Sequence, residues 1–215
     1  GGSALNSGQV GGLRAAQYVA HALRSSRPPS PADGARGIPE VSSQISAVVE
    51  RVRHHLGAGE AAPTVAEVRR DIQQRMTEHA GILRSLHGVT TALAQARGLA
   101  SRLASRGQRL QARNQLVTAF QNEHLCGTQI AFLTAIEAFM ERGGGSRGSC
   151  LVLDDGGDRE VCSKKGAELR HRSENLAMRD EIIEVGLGQD GEFIVQVTPV
   201  RPLPQDDSWY ENTWR

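Results

Sequence analysis

The sequence predicts a mainly helical protein with a small β portion: an antiparallel three-helix bundle followed by one or two β-hairpins. Three amphipathic stripes succeed one another between residues 65 and 140, joined by short polar connections, which is the pattern of a bundle. After the glycine run Gly143-Gly144-Gly145 the apolar period shortens from that of a helix to that of a strand. Asp190-Gly191 then stands between two β-prone runs, a strong short-range hairpin signal.

Each element has its own local justification. Residues 1–12 hold five glycines and predict a glycine-rich loop opening a helix, in which Leu13, Ala16, Ala20 and Leu23 recur at helical spacing through residue 23. Residues 24–40 read as a linker or disordered loop, because the stretch 24–37 combines four charges with three prolines. Within 41–59 a helix over 41–56 follows from Val41, Ile45, Val48, Val49, Val52 and Leu56, and a connection completes the segment.

The bundle occupies 60–145. Thr64 and Glu67, just after Pro63, form a capping box, and Val65, Val68, Ile72, Met76, Ala80 and Leu83 form one stripe, predicting a helix over 64–84. Val89, Leu93, Ala96, Leu99 or Ala100, and Leu103 mark a second helix, and Leu116, Phe120, Leu125, Phe132, Leu133, Ile136 and Met140 a third, stopped by the glycine run. In 146–215, the runs 150–153 and 159–162 flank Asp154-Asp155-Gly156-Gly157-Asp158 as one hairpin, and 181–187 and 192–198 make the next. The stretch 199–215, with both tryptophans, is an aromatic tail expected to pack back onto a surface.

Composition bounds the function. With 25 Lys plus Arg against 24 Asp plus Glu in 215 residues, the net charge of +1 gives no reason to expect nucleic acid or a membrane surface held by bulk electrostatics. A hydrophobic fraction of 39% and an aromatic fraction of 4% make the chain lean in core-forming mass, as expected of one that is looped, partly disordered or completed by a partner. Three cysteines without a C-x-x-C pair argue against a disulfide framework or zinc ribbon and for a reducing, cytoplasmic setting. Cys150 and Cys162 would face each other across the first hairpin if its loop has three residues, as free thiols. No signal-peptide pattern opens the sequence, and the richest apolar run, 130–140, is interrupted by Thr134 and Glu137 and is too short to span a bilayer.

The loop 1–12 is the best candidate for ligand contact. Glycines let backbone N–H groups approach a ligand, a following helix N-terminus favours an anion or an electron-rich carbonyl, and Asn6, Ser7 and Gln9 add directional hydrogen bonds. The same composition also fits a flexible helix entry. No strand precedes it and no βαβ unit surrounds it, so a complete Rossmann domain is not expected. His54-His55, His79, His87 and His124 lack the spacing of metal ligands, and His124 and Cys126, two apart on a helix, point away from each other. Arg147 reads as an anion contact or as a salt bridge to a partner chain, and Arg97, Arg102, Arg106, Arg109 and Arg113 as a solvated face and turn, without the interleaved aromatics of an RNA site.

The segment Asn6-Ser7-Gly8-Gln9-Val10-Gly11-Gly12-Leu13-Arg14-Ala15-Ala16 resembles that of succinate dehydrogenase and fumarate reductase flavoproteins in which an Asn-Ser turn leads into a Gly-Arg-Ala-Ala helix beneath the flavin. The stretch 68–84, VRRDIQQRMTEHAGILR, resembles the first helix of that family's C-terminal three-helix domain, and Gly145-Ser146-Arg147-Gly148-Ser149 is similar to its Ser-Arg-Gly stretch. The likeness covers most of 1–23 and 60–215 in the family's order, and departs from it at Gly8-Gln9, where paired leucines are common.

The resemblance implies FAD as cofactor, with Ser3, Asn6, Ser7, Gly8, Gln9 and Val10 at the pyrimidine edge of the isoalloxazine. A helix N-terminus aimed at that edge would stabilise the reduced flavin's negative charge. The resemblance further implies that 1–23 complete the FAD domain of a partner chain that bears the dinucleotide-binding and capping domains and the proton-transfer residues. The reaction would be hydride transfer between flavin and a small carboxylated substrate. A different class remains open, a non-catalytic helical assembly module docking through its aromatic tail.

Overall fold

Helix α1 runs Gly2–Ser25 and helix α2 runs Pro31–Leu56. In the computed structural model the described residues are 2–25, 31–148, 150–162 and 168–202. The chain divides into two units, residues 1–51 and 52–215.

In the first unit two expectations are corrected. Residues 2–12 are not a loop but the opening turns of α1. Glycine permits a turn without requiring one, no proline interrupts 2–25, and Leu5 lies in helical register with Leu13, Ala16 and Leu23, so the stripe extends back through the glycines. The expected linker 24–40 is likewise largely helical, since α1 ends at Ser25 and α2 begins at Pro31. A proline at the first helical position forgoes only an N–H that has no helical partner there. Pro39 lies inside α2, where it cannot donate to the carbonyl one turn earlier, yet the helix continues through it to Leu56.

In the second unit, helix α3 (Val65–His79) is capped as its sequence predicts: Thr64 Oγ1 accepts the Glu67 N–H at 3.2 Å, and Glu67 Oε2 accepts the Thr64 N–H at 2.8 Å. It ends at His79, five residues short of the expected residue 84. At Gly81 a Cβ would lie 2.5 Å from the Thr77 carbonyl, so the chain leaves the helix through a position open only to glycine. The freed residues Leu83–Ser85 form strand β1. Ser85 then caps helix α4 (Leu86–Arg106) by accepting the Gly88 N–H, and a 3₁₀ turn over Arg113–Gln115 leads into helix α5 (Leu116–Glu141).

The three helices run up, down and up. Arg69 and Arg75 of α3 reach Asn122 and Gln129 of α5 in the same order along both helices, whereas Ala96 and Gln108 meet Cys126 and Ala119 in reverse order. Val68, Ile72, Val89, Leu93, Leu99 and Leu133 lie in the core between them, at most 4% exposed. Among the described residues no helix is long and apolar enough to cross a membrane.

The β portion differs from expectation in pairing. Strands β2 (Leu151–Leu153) and β3 (Arg159–Cys162) do not form a hairpin, because β4 (Glu168–Arg172) lies between them in a sheet of order β1-β2-β4-β3. β1 pairs with β2 in parallel, Leu83 opposite Leu151, and β4 runs antiparallel to both its neighbours. Gly145 admits this arrangement, since a Cβ there would overlap the Ser173 carbonyl. Cys162 is therefore opposite Glu168 and not Cys150. Cys126 and Cys150 are free thiols. The second hairpin forms as expected from β5 (Glu181–Leu187) and β6 (Phe193–Pro199), with Gly191 at φ +83° in the turn, and packs on α5. Most of the aromatic tail, 203–215, lies outside the described residues.

Candidate functional site

The residues singled out in the sequence all lie on α1. Positions 3, 6, 7 and 10 are spaced i, i+3, i+4 and i+7, which gathers Ser3, Asn6, Ser7 and Val10 on one helix face, whereas Gly8 and Gln9 fall outside it. Ser7, Gly8, Gln9 and Val10 are exposed. The helical backbone ties up amides that a loop would have left free to meet a ligand, so only the first turn keeps unpaired donors. Gly8, Gly11 and Gly12 share a second face, and a Cβ at any of them would meet nothing within 4 Å. Each glycine in a helix interior costs about 1 kcal/mol relative to alanine.

One polar chain organises the second unit. His55, at the end of α2, is 1% exposed; its Nε2 lies 2.9 Å from Glu123 Oε1, its Nδ1 accepts the Gln108 N–H at 3.2 Å, and its ring meets the Phe120 edge. Gln108 donates Nε2 to the Ala119 carbonyl at 2.8 Å and accepts at Oε1 from Asn122 Nδ2 at 2.8 Å. Asn122 also donates to the Val65 carbonyl, fixing the start of α3 against α5. Within α5 the one sequence signal for this network is Asn122, a polar residue on the buried face of an otherwise apolar stripe. Periodicity alone does not identify such a residue, because a buried amide is defined by its partners.

A groove of about 450 Å³ opens between α4, α5 and the β5–β6 turn, with Leu103, Cys126, Ile130 and Phe193 along it and Arg97, Glu123 and Glu192 among its polar residues. Burial pushes the Cys126 thiol up from its ordinary value, and its sulfur accepts from Gln129 Nε2 at 3.5 Å, so it is a packed thiol rather than a nucleophile. His124 is exposed and takes no part. Among the described residues no group of His, Cys, Asp and Glu is arranged to hold a metal ion.

The small sheet is held by ion pairs. The Arg172 guanidinium grips Asp154 Oδ2 at 2.7 and 3.0 Å and, with the Gly156 N–H, keeps that carboxyl below its usual value. Arg147 pairs with Glu174 of the same chain at 3.1 Å, and the same carboxylate takes Arg179, which lowers the Glu174 pKa. Ser146 Oγ accepts the Val152 N–H and lies 2.9 Å from His171 Nδ1, stapling the chain after α5 to β2 and β4. Gly143-Gly144-Gly145-Ser146-Arg147-Gly148 spells G-x-G-x-x-G, but it follows a helix and leads to a strand, the reverse of the strand–loop–helix order that binds a dinucleotide. Among known proteins, no family model and no curated protein matches this chain.

Proposed function

We propose that the chain is the C-terminal part of an FAD-dependent oxidoreductase of the succinate dehydrogenase and fumarate reductase type, with α1 closing the flavin site. It would act by hydride transfer with a small carboxylated substrate, together with dinucleotide-binding and capping domains that are not among residues 1–215. The observation that carries this reading is α1 itself. It bears the Asn-Ser-to-Arg-Ala-Ala segment, its Gly8, Gly11 and Gly12 are bare, and its Val10, Leu13 and Leu23 are more than half exposed. Such a helix is suited to close approach by a flat ring system and to burial against another domain. Where bound, FAD would supply the hydride chemistry; Asn6 and Ser7 would orient its pyrimidine edge.

The exposed apolar residues of α1 and α2 equally favour a non-catalytic assembly helix, and one experiment separates the two. The whole protein, purified from its source under native conditions, is examined by native mass spectrometry and absorbance. The flavin reading expects bound FAD, and Ser7→Ala shifting the flavin spectrum or potential. A colourless assembly, unaffected by Ser7→Ala but lost on truncation after Pro199, overturns it in favour of the assembly module.

A further inference from the structure

The surroundings of Arg69, on α3, are independent of the flavin reading. Arg69 Nε donates to Asn122 Oδ1 at 2.6 Å and its Nη2 to Gln121 Oε1 at 3.2 Å. Asn122 is fully buried and locked to Gln108 and the Val65 carbonyl, so the guanidinium is oriented from within the bundle. Both acceptors are neutral amides, and they occupy the Nε–Nη2 side of the fork. The Nη1–Nη2 edge, which can bind two oxygens of one anion side by side, stays available.

That guanidinium lines a pocket of about 350 Å³ with Arg70, Gln73, Gln115, Thr118 and the first residues of α3, Val65 and Ala66. The lining holds two cations, two amides and a hydroxyl, but no carboxylate. Among the described residues neither Arg69 nor Arg70 makes an ion pair. Glu67, the acidic residue of the same turn, holds its Oε2 on the Thr64 N–H and hydroxyl; it feels the charge of Arg70 without pairing with it, and Arg69 is not among the groups that shift it. The positive end of the α3 dipole adds to the two cations. A buried network that ends on a guanidinium without a counter-charge is arranged for a ligand that brings one.

We propose that Arg69 and Arg70, with Gln73, Gln115 and Thr118, bind a small oxyanion, a phosphate or a carboxylate. Arg69 supplies the oriented fork, Arg70 a mobile second charge, and the amides and hydroxyl the remaining donors. The shallow volume suits a free small anion and not a polymer.

The test is a titration of the full chain with inorganic phosphate and, separately, with malonate, at constant ionic strength, read by NMR at the Arg69 Nε–H and at the Gln115 and Thr118 amides. Saturable shifts with a dissociation constant of about 1 mM, the weak end of specific binding, are expected. Saturation by phosphate alone assigns a phosphate ligand, by malonate alone a carboxylate, and by both a general oxyanion site. Arg70→Gln, an exposed change outside the amide network, should weaken binding about tenfold, and Arg97→Gln, in the other groove, should leave it unchanged. Non-saturating shifts matched by sodium chloride, or an unchanged affinity in Arg70→Gln, overturn the proposal.

Discussion

The two units use the same kinds of side chain to opposite ends. In α3, α4 and α5 the aliphatic stripes close on one another, and Val89, Ala92, Ala96 and Leu133 have no exposed surface at all. In α1 and α2 stripes of the same spacing stay open: Leu13 is 60% exposed, Leu23 68% and Ile45 59%. Helical periodicity therefore says that a face will be buried, not by what. The bundle supplies its own answer, while the stripes of α1 and α2 are exposed.

The largest expected effect breaks that comparison directly. Leu133→Ala in α5 empties a fully buried position and should lower the unfolding free energy by about 2–5 kcal/mol, whereas Leu13→Ala in α1 should change it by less than about 0.5 kcal/mol. Urea denaturation followed by circular dichroism reads both. Equal destabilisation by the two would mean that the first unit has a packed interface within the chain.

What could be read from sequence divides along the same line. The capping box at Thr64 and Glu67, the stripes of α3 to α5 and the Asp190-Gly191 hairpin were legible, because each is fixed by residues within one turn or one loop. β1 and β4 were not. Leu83–Ser85 has three residues at the end of a helical stripe and becomes a strand only through Leu151–Leu153, far along the chain, while the charged run Glu168–Arg172 carries no alternation of its own and becomes one by entering between β2 and β3. The candidate site was misjudged in shape for a different reason. Glycine content predicts a loop, yet Gly8, Gly11 and Gly12 are bare positions on a helix. The Arg69 pocket was invisible because its decisive partner, Asn122, stands 53 positions away.

A smaller effect sharpens the view of how the bundle is closed. Asn122→Ala deletes bonds to Val65, Gln108 and Arg69 at once and leaves buried groups unpaired, which should cost about 1–3 kcal/mol. Because the Gln108 side chain would retain its bond to the Ala119 carbonyl, α5 should keep its protection. Amide exchange at the first turn of α3 should rise more than at Leu133. A uniform rise across the bundle would show the network to be part of the global core rather than a local latch.

The smallest effect separates bundle from sheet by pH. Asp154 is held below the usual carboxylate range chiefly by its bonds to Arg172, Asp158 by those to Ser173, and Glu174 by those to Arg179. Each folded pKa lies below its unfolded value, so the stabilisation is present above the unfolded carboxylate range, about 4, and is lost as pH falls through the folded values. The Asp154–Arg172 pair is 30% and 39% exposed at its two side chains, so solvent screens it and the loss is modest. Its location makes it visible, because Arg172 also donates to the Met140 and Gly144 carbonyls at the end of α5. Protonating Asp154 frees the guanidinium from one side of that junction. Acidification from neutral pH should therefore lower the protection factors, exchange corrected for the intrinsic rate at each pH, at Val152 and Asp154, where β2 meets β4, before it affects α4 and α5. Asp154→Asn, which cannot ionise, should start nearer the loosened state and show a weaker pH dependence there. An unchanged acid profile in Asp154→Asn would assign the response to Asp158 and Glu174 instead, and with it the anchoring of the sheet to the turns after β4 and not to the end of the bundle.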